Sequence, residues 1–414
     1  MIWMRKEIWV WLLCMIIWYH IWKSKPLFLK PTLDWWYLHI IQDPSFQYII
    51  WIVLFITLLW SIVSAFFNQT TINTYILALR YDFMGFVVWC ICIFLSQYLS
   101  RRQIQSFFTW YGAIIKVVIV IWLGWYMILM IKPGILKLFG YTTKIYEAEI
   151  WKQPPAVYYT QQFQWYPRNQ FFFERPIHYG FWLTMMWPLF FVLYLKRRSW
   201  DKTWFRRIIY GLNVMTTFSR AARWVWIIET FILALYTYRS NVWFYLKKMF
   251  IPLIWIVLIL IWFWYSQIVD RDFSNTGHLQ LFIKWLEYAG QHRVVWLGPW
   301  SVWPASYHHG WLEFNPENQF LQILIEFGIV WFIGRMTVYL FFAGFGLRHW
   351  HASSSKKKNS LDPGGLIFAM SLGMCGLAIS GMVLHSFVDR MIVIPMMIIT
   401  GLAMGYRWYH HSSS

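Results

Sequence analysis

The sequence predicts an all-α polytopic membrane protein with about 11–12 transmembrane helices and two large extracytoplasmic loops. Three observations predict it. Of the 414 residues, 59% are hydrophobic and only 13% are charged, whereas soluble domains carry about 25% charge. The apolar residues come in long runs rather than in alternation, which suits helices in lipid. The excess of Lys and Arg, a net charge of +19, gathers in short connecting segments, the positive-inside pattern. That placement assigns the basic balance to anionic lipid and not to nucleic acid. The 33 Trp, 35 Phe and 25 Tyr suit interfacial belts and aromatic packing between helices.

Apolar runs place helices near 3–22, 46–67, 83–99, 107–131, 176–195, 208–219, 221–238, 249–266, 320–346, 364–384 and 392–406. The shortest pair, 208–219 and 221–238, meets at Ser219-Arg220. The N-terminus MIWMRKEIWVWLLCMIIWYHIW has a charged start and an apolar run but no small-residue cleavage site, so it reads as a retained helix. Basic clusters fall at Lys23/Lys25/Lys30, Arg101/Arg102, Lys196–Arg207, Arg239/Lys247/Lys248 and Arg348/Lys356–Lys358. With these helices all five lie on one side, the cytoplasmic one. The C-terminus is then inside and the N-terminus outside, although one more short helix at 33–42 would reverse the latter.

The chain accordingly divides into N-terminal helices (1–131), a first outer loop (132–175), helices with the Ser219-Arg220 hairpin (176–266), a second outer loop (267–319), and C-terminal helices with a cytoplasmic tail (320–414). In the second loop, Ser274 or Asn275 can cap a helix. Leu279, Phe282, Ile283 and Leu286 then form an apolar face suited to a helix lying on the membrane. The four cysteines, Cys14, Cys90, Cys92 and Cys375, all sit in apolar runs and read as small hydrophobes.

The polar residues with chemical potential converge on the outer side. The first loop ends with Arg168, Glu174, Arg175 and His178, and the short hairpin adds Ser219, Arg220 and Arg223. The second loop carries Arg271, His278, His292, Arg293, His308, His309, Glu313 and Glu317, and the last hairpin His385, Asp389 and Arg390. In NPENQFLQILIEFGIVWFIG, Asn318, Gln322 and Glu326 recur every four residues, with Asn315 and Gln319 beside them. One stripe of an otherwise apolar helix is therefore polar, and such a stripe needs partners or a wet cavity. Singly, Arg220 also suits a snorkelling anchor and His308-His309 a solvated loop pair. Together these residues suggest an outer cavity for an anionic ligand, and the guanidinium fork matches diphosphate. No metal-ligand spacing and no nucleotide-binding loop occurs, so the expected substrate arrives already activated, on a lipid carrier.

Over roughly 165–406 the chain resembles the O-antigen ligase and polymerase family of bacterial envelope glycosyltransferases. RNQFFFERPIHYGFWLTMMWPL resembles the segment that follows the family's first outer loop. TTFSRAARWVWIIE resembles its Ser-Arg hairpin, and RDFSNTGHLQLFIKW with WLGPWS its outer-loop helix and Gly-rich turn. NPENQFLQILIEFGIVWFIG resembles its Asn-x-x-Leu…Glu-x-Gly helix start.

The resemblance implies transfer of a glycan from an undecaprenyl-diphosphate-linked donor to a glycan, lipid A-core or protein acceptor. The reaction would run at the outer face of a bacterial inner membrane, without metal or cofactor. On this reading Arg220 holds the diphosphate, and Arg175, Arg271, His278 and Arg293 join in binding it. The family's second arginine falls where this chain has His278. The ligases' His falls at Glu317, which favours the polymerase branch and leaves Glu317, His308 or His309 as general base. Asn318 and Gln322 would orient sugar hydroxyls. A flippase or other transporter of lipid-linked glycans is the alternative of another class; transporters favour internal repeats and midplane charges, whereas this chain gathers its charge in two large outer loops.

Overall fold

The computed structural model describes residues 44–73, 75, 76, 79, 83–132, 141–142, 158–159, 162–163, 166–169, 173, 176–195, 204–238, 280, 283, 284, 287, 318–352, 363–382 and 390–411. Nine helices of thirteen residues or more fall among them: α1 (Pro44–Phe67), α2 (Met84–Ser96), α3 (Arg101–Ile131), α4 (Pro176–Phe190), α5 (Trp204–Thr216), α6 (Arg220–Tyr238), α7 (Gln319–Ala352), α8 (Pro363–Gly381) and α9 (Arg390–His411). A single π-helical turn, Phe191–Leu195, prolongs α4. Two two-residue β pairs, Tyr141–Thr142 with Tyr158–Tyr159 and Gln162–Phe163 with Tyr166–Pro167, lie in the expected first loop.

The chain is a helical membrane protein. Four helices, over Arg101–Ile131, Pro176–Tyr194, Gln319–Gly346 and Gly364–Gly381, are long and apolar enough to cross a bilayer, and Ile52–Phe67, Met84–Ser96 and Ile392–Tyr406 are shorter apolar helices. The expected helices at 3–22 and 249–266, Cys14, and most of both outer loops lie outside the described residues. Gln280, Ile283, Lys284 and Glu287 are helical and exposed, in the segment expected to form a surface helix.

A helix apolar on every side has to be surrounded. α4 meets that condition: from Tyr179 to Leu193 every residue is buried. Its rings form the central stack, with Trp187 4.7 Å from Tyr210 and 6.2 Å from Phe190, and Tyr179 6.3 Å from Trp182. α8 is buried to a similar degree, whereas α1 and α3 expose Ile52, Phe55, Phe66, Val117, Val120 and Met127 as the surface offered to lipid.

Side-chain pairs fix the direction of each helix. Trp122 stacks on Tyr179 while the Tyr194 hydroxyl donates to the Thr109 carbonyl, so α3 and α4 are antiparallel. Tyr236 stacks on Phe368 at 4.5 Å while Glu229 faces Gly376, so α6 and α8 are antiparallel. Gly85 faces Val393 and Gly405 faces Ser96, so α2 and α9 run parallel. Arg101 Nε donates to Tyr406 Oη at 3.0 Å, joining the start of α3 to the end of α9. The basic residues Arg101, Arg102, Arg206 and Arg207 thereby collect at one end of the bundle, and Arg220 stands at the other.

Close helix approach rests on small residues, the usual device where lipid removes any hydrophobic drive between helices. A Cβ on Gly401 would lie 2.7 Å from the Trp89 carbonyl oxygen, and one on Gly373 2.5 Å from that of Met185. Backbone cannot move aside as a side chain can. Gly401→Ala should therefore cost about 1–3 kcal/mol, read as a lower thermal midpoint in detergent. Gly124→Ala, which meets nothing within 4 Å, should leave the midpoint unchanged or raise it slightly, because Ala is the better helix former.

Candidate functional site

The joint expected at Ser219-Arg220 is a tight turn from Thr217 to Ser219 between α5 and α6. α5 closes with the Thr217 amide on the Val214 carbonyl and the Phe218 amide on that of Met215. Phe218 adopts a φ of 51°, a left-handed conformation that a bulky residue holds only when its surroundings enforce it. Thr217 Oγ1 accepts the Ser219 amide at 3.2 Å, and Ser219 Oγ accepts the Ala222 amide at 3.3 Å as the N-cap of α6. Gly180 lets α4 press on this turn, since a Cβ there would stand 2.8 Å from Ala222 Cβ.

A second segment clamps the turn from outside. Just after the last β strand, the Asn169 amide donates to the Thr216 carbonyl at 2.9 Å, and Asn169 Nδ2 to Thr216 Oγ1 at 3.1 Å. Arg168 Nε donates to the Thr217 carbonyl at 2.9 Å. Arg223 Nε reaches back to the Ser219 carbonyl at 3.3 Å. Arg168 and Arg223 are buried and Arg220 is half-buried. Three arginines from two segments thus meet on one turn. The first turn of α6 contains no acidic residue, so two of these cations sit where the helix dipole already concentrates positive charge. Arg168 and Arg223 belong to this constellation alongside the Arg220 singled out from sequence.

The polar stripe begins at Asn318. Its Oδ1 accepts the amides of Phe320 and Leu321, both at 3.0 Å, which makes it the N-cap of α7. Its Nδ2 donates to the Met382 carbonyl at 2.8 Å. Both ends of the amide are engaged within the protein. Gln319, Gln322 and Glu326 are buried, and Gln322 Nε2 donates to Glu326 Oε2 at 3.3 Å. The stripe therefore faces the bundle interior, and two of its members satisfy each other.

α7 is not a straight rod. Gly328 breaks it with φ 79° and ψ −175°, angles open to glycine. Phe320 consequently lies 5.8 Å from Tyr339 and 6.5 Å from Phe332, ring to ring, whereas residues nineteen apart in a straight helix are separated by about 28 Å. The element is two arms, 319–327 carrying the polar stripe and 329–352 returning beside it. The second arm alone, about 36 Å long, suffices to cross a bilayer, so the apolar length of Gln319–Gly346 does not make it one straight crossing. The break disrupts the helical ladder, and the Phe327 carbonyl accepts Trp60 Nε1 from α1 at 2.9 Å. The first arm was read from sequence as part of a continuous helix at 320–346; a glycine within an apolar run gave no sign of the reversal.

Register relates the two constellations. Gly376 is level with Glu229 across the antiparallel pair of α6 and α8. Six residues onward on α8 is Met382, and six back on α6 is Arg223. The start of α7, tied to Met382, is thus level with the arginine turn. Glu317, His308, His309, Arg175, Arg271, His278 and Arg293 lie outside the described residues.

Two buried ionisable groups were not singled out from the sequence. Glu229 is buried in α6 against Gly376, and its carboxyl oxygens have no hydrogen-bond partner among the described residues. Arg335 is buried with its guanidinium 4.8 Å from the Phe86 ring. A charge inside an apolar helix was the available signal for both. No known protein family matches the chain, and no curated protein matches it.

The Trp60 bond and the Gly328 break can be tested separately. Trp60→Phe keeps the ring but removes the donor, and should cost about 1–3 kcal/mol through the unsatisfied Phe327 carbonyl. Gly328→Ala should cost about 1–3 kcal/mol, because φ 79° with ψ −175° is a conformation held essentially by glycine alone. Each is read as a fall in apparent melting temperature of the detergent-purified protein.

Proposed function

We propose that the protein is a multi-pass enzyme of a bacterial inner membrane that transfers a glycan from a lipid diphosphate to an acceptor hydroxyl. The extracytoplasmic site would lie between the two outer loops, with about 11–12 spans placing the basic end of the bundle in the cytoplasm. The observation that carries this reading is the gathering of Arg168, Arg220 and Arg223 on the turn that opens α6, level with the polar arm of α7. A diphosphate bears the charge, and has the spacing of oxygens, that paired guanidinium groups bind bidentately.

In the proposed reaction the acceptor hydroxyl gives its proton to Glu317, His308 or His309 and attacks the anomeric carbon. The bond from that carbon to the diphosphate oxygen breaks, inverting the centre. The lipid diphosphate leaves with the bonding electrons, and Arg220 stabilises its growing charge. Arg168 holds the turn that aims Arg220. Arg175, Arg271, His278 and Arg293 supply the remaining outer charge, and Gln322 with Glu326 forms the polar wall beside the cavity.

One observation favours the flippase alternative: a helix broken by Gly328 with a polar arm is also how transporters build sites within the membrane. An assay in detergent separates the two. With lipid-linked oligosaccharide and acceptor, an enzyme forms product without sealed vesicles, and a flippase forms none. In that assay Arg220→Ala should lower turnover at least about a hundredfold at normal protein abundance. Full activity in Arg220→Ala would remove the arginine turn from the mechanism.

A further inference from the structure

The opposite, basic end of the bundle has a second cationic cluster, which the proposed reaction does not use. Lys116 of α3 places Nζ 3.6 Å from the centre of the Tyr194 ring. From α5, the Arg206 guanidinium lies 6.0 Å from the same ring and that of Arg207 lies 5.7 Å from the Phe191 ring. Both rings belong to the π-helical turn Phe191–Leu195. Gly112 makes the approach possible, because a Cβ there would lie 2.8 Å from Leu193 Cδ1 and from Tyr194 Cε2. Two elements thus bring three cations onto two rings of a third.

The surrounding sequence intensifies the charge. α3, α4 with its π turn, and α5 contain no Asp or Glu. The segment 196–207, KRRSWDKTWFRR, has six basic residues against the single Asp201. Directly beside the cations the surface turns apolar and open. α5 exposes Phe205, Ile208 and Leu212, and the adjoining α3 exposes Val117, Val120 and Ile121. A free anion would gain nothing from that apolar strip. An amphiphile with an anionic head and hydrocarbon tails matches both halves.

We propose that Lys116, Arg206 and Arg207, arrayed on Tyr194 and Phe191, form a binding site for the phosphate headgroup of an anionic phospholipid. Its acyl chains lie along the exposed apolar faces of α3 and α5. The π turn widens the end of α4 and turns its two rings toward the cations. The site is independent of the glycosyl-transfer reading, and it localises to one place the lipid affinity that the net charge predicts.

The test counts bound phospholipid on the intact, detergent-purified protein by native mass spectrometry. Phosphatidylglycerol is compared with phosphatidylcholine. The wild type should retain phosphatidylglycerol preferentially. Each neutralised cation should weaken that binding about fivefold, so the Lys116→Gln/Arg206→Gln/Arg207→Gln variant should lose the preference. Lys116→Arg/Arg206→Lys/Arg207→Lys should keep it. Arg102→Gln, which removes one exposed charge at the same end, should also keep it. Should the triple variant fail to fold, Arg206→Gln alone gives the reading, since among the described residues that side chain leans on the Tyr194 ring. Unchanged preference in the neutralised variant, equal loss in Arg102→Gln, or displacement of the lipid by glycerol 3-phosphate at equal concentration would overturn the proposal.

Discussion

The turn that joins α5 to α6 depends on a hydrogen bond from a guanidinium to a backbone carbonyl, Arg168 Nε to Thr217 at 2.9 Å. Two helices meeting at a tight turn leave several amides and carbonyls without helical partners. Thr217 and Ser219 are buried, so the groups there cannot turn to water and each needs a protein partner. Here the partners come from the turn itself, through Thr217 Oγ1 and Ser219 Oγ, and from a segment some fifty residues upstream, through Arg168 and Asn169. The clamp lets Phe218 keep its left-handed backbone, and that backbone sets the direction in which α6, and so Arg220, begins. A charge used to close a turn also biases what can bind there, because Arg168 brings its positive charge along with its hydrogen bond.

The interior follows a different rule. Helices α4 and α8 sit among other helices and are held by ring stacking and by glycines that admit a neighbouring backbone. Polar groups in this interior are mostly consumed locally. Asn213 is the clearest case: it accepts from the Tyr179 hydroxyl and donates to the carbonyls of Ile119 and Ile209. One amide so ties α3, α4 and α5 together. Glu229 differs from Asn213: both of its carboxyl oxygens are buried without a hydrogen-bond partner among the described residues.

Much of this was legible in the chain. Apolar length gave the helices, and Ser219-Arg220 between two short runs gave the hairpin, because a capping hydroxyl and a charge rarely interrupt apolar sequence without a turn. Boundaries moved by a few residues where polar turns remain helical, as at Arg101–Ser106, which the capping box of Ser100 and Gln103 draws into α3. Three things were not legible. The cap role of Asn318 was not read, although its position just before a helix is that of a cap. Arg168 looked like a loop charge, because its partner carbonyl belongs to a distant turn. The reversal at Gly328 depends on where Trp60, Phe332 and Tyr339 stand, and no window of local sequence contains them all. The outer-loop residues Glu317, His308, His309, Arg175, Arg271, His278 and Arg293 remain readings of the sequence.

The bent helix also bears on biosynthesis. The donor that satisfies the Phe327 carbonyl is 267 positions earlier in the chain, so ribosome and insertion machinery deliver it long before the acceptor. When 319–352 emerges its partner is therefore already made, and the Phe327 carbonyl is satisfied only once the new arm packs against α1. A chain that lacked α1 would leave the fold-back with a bare carbonyl.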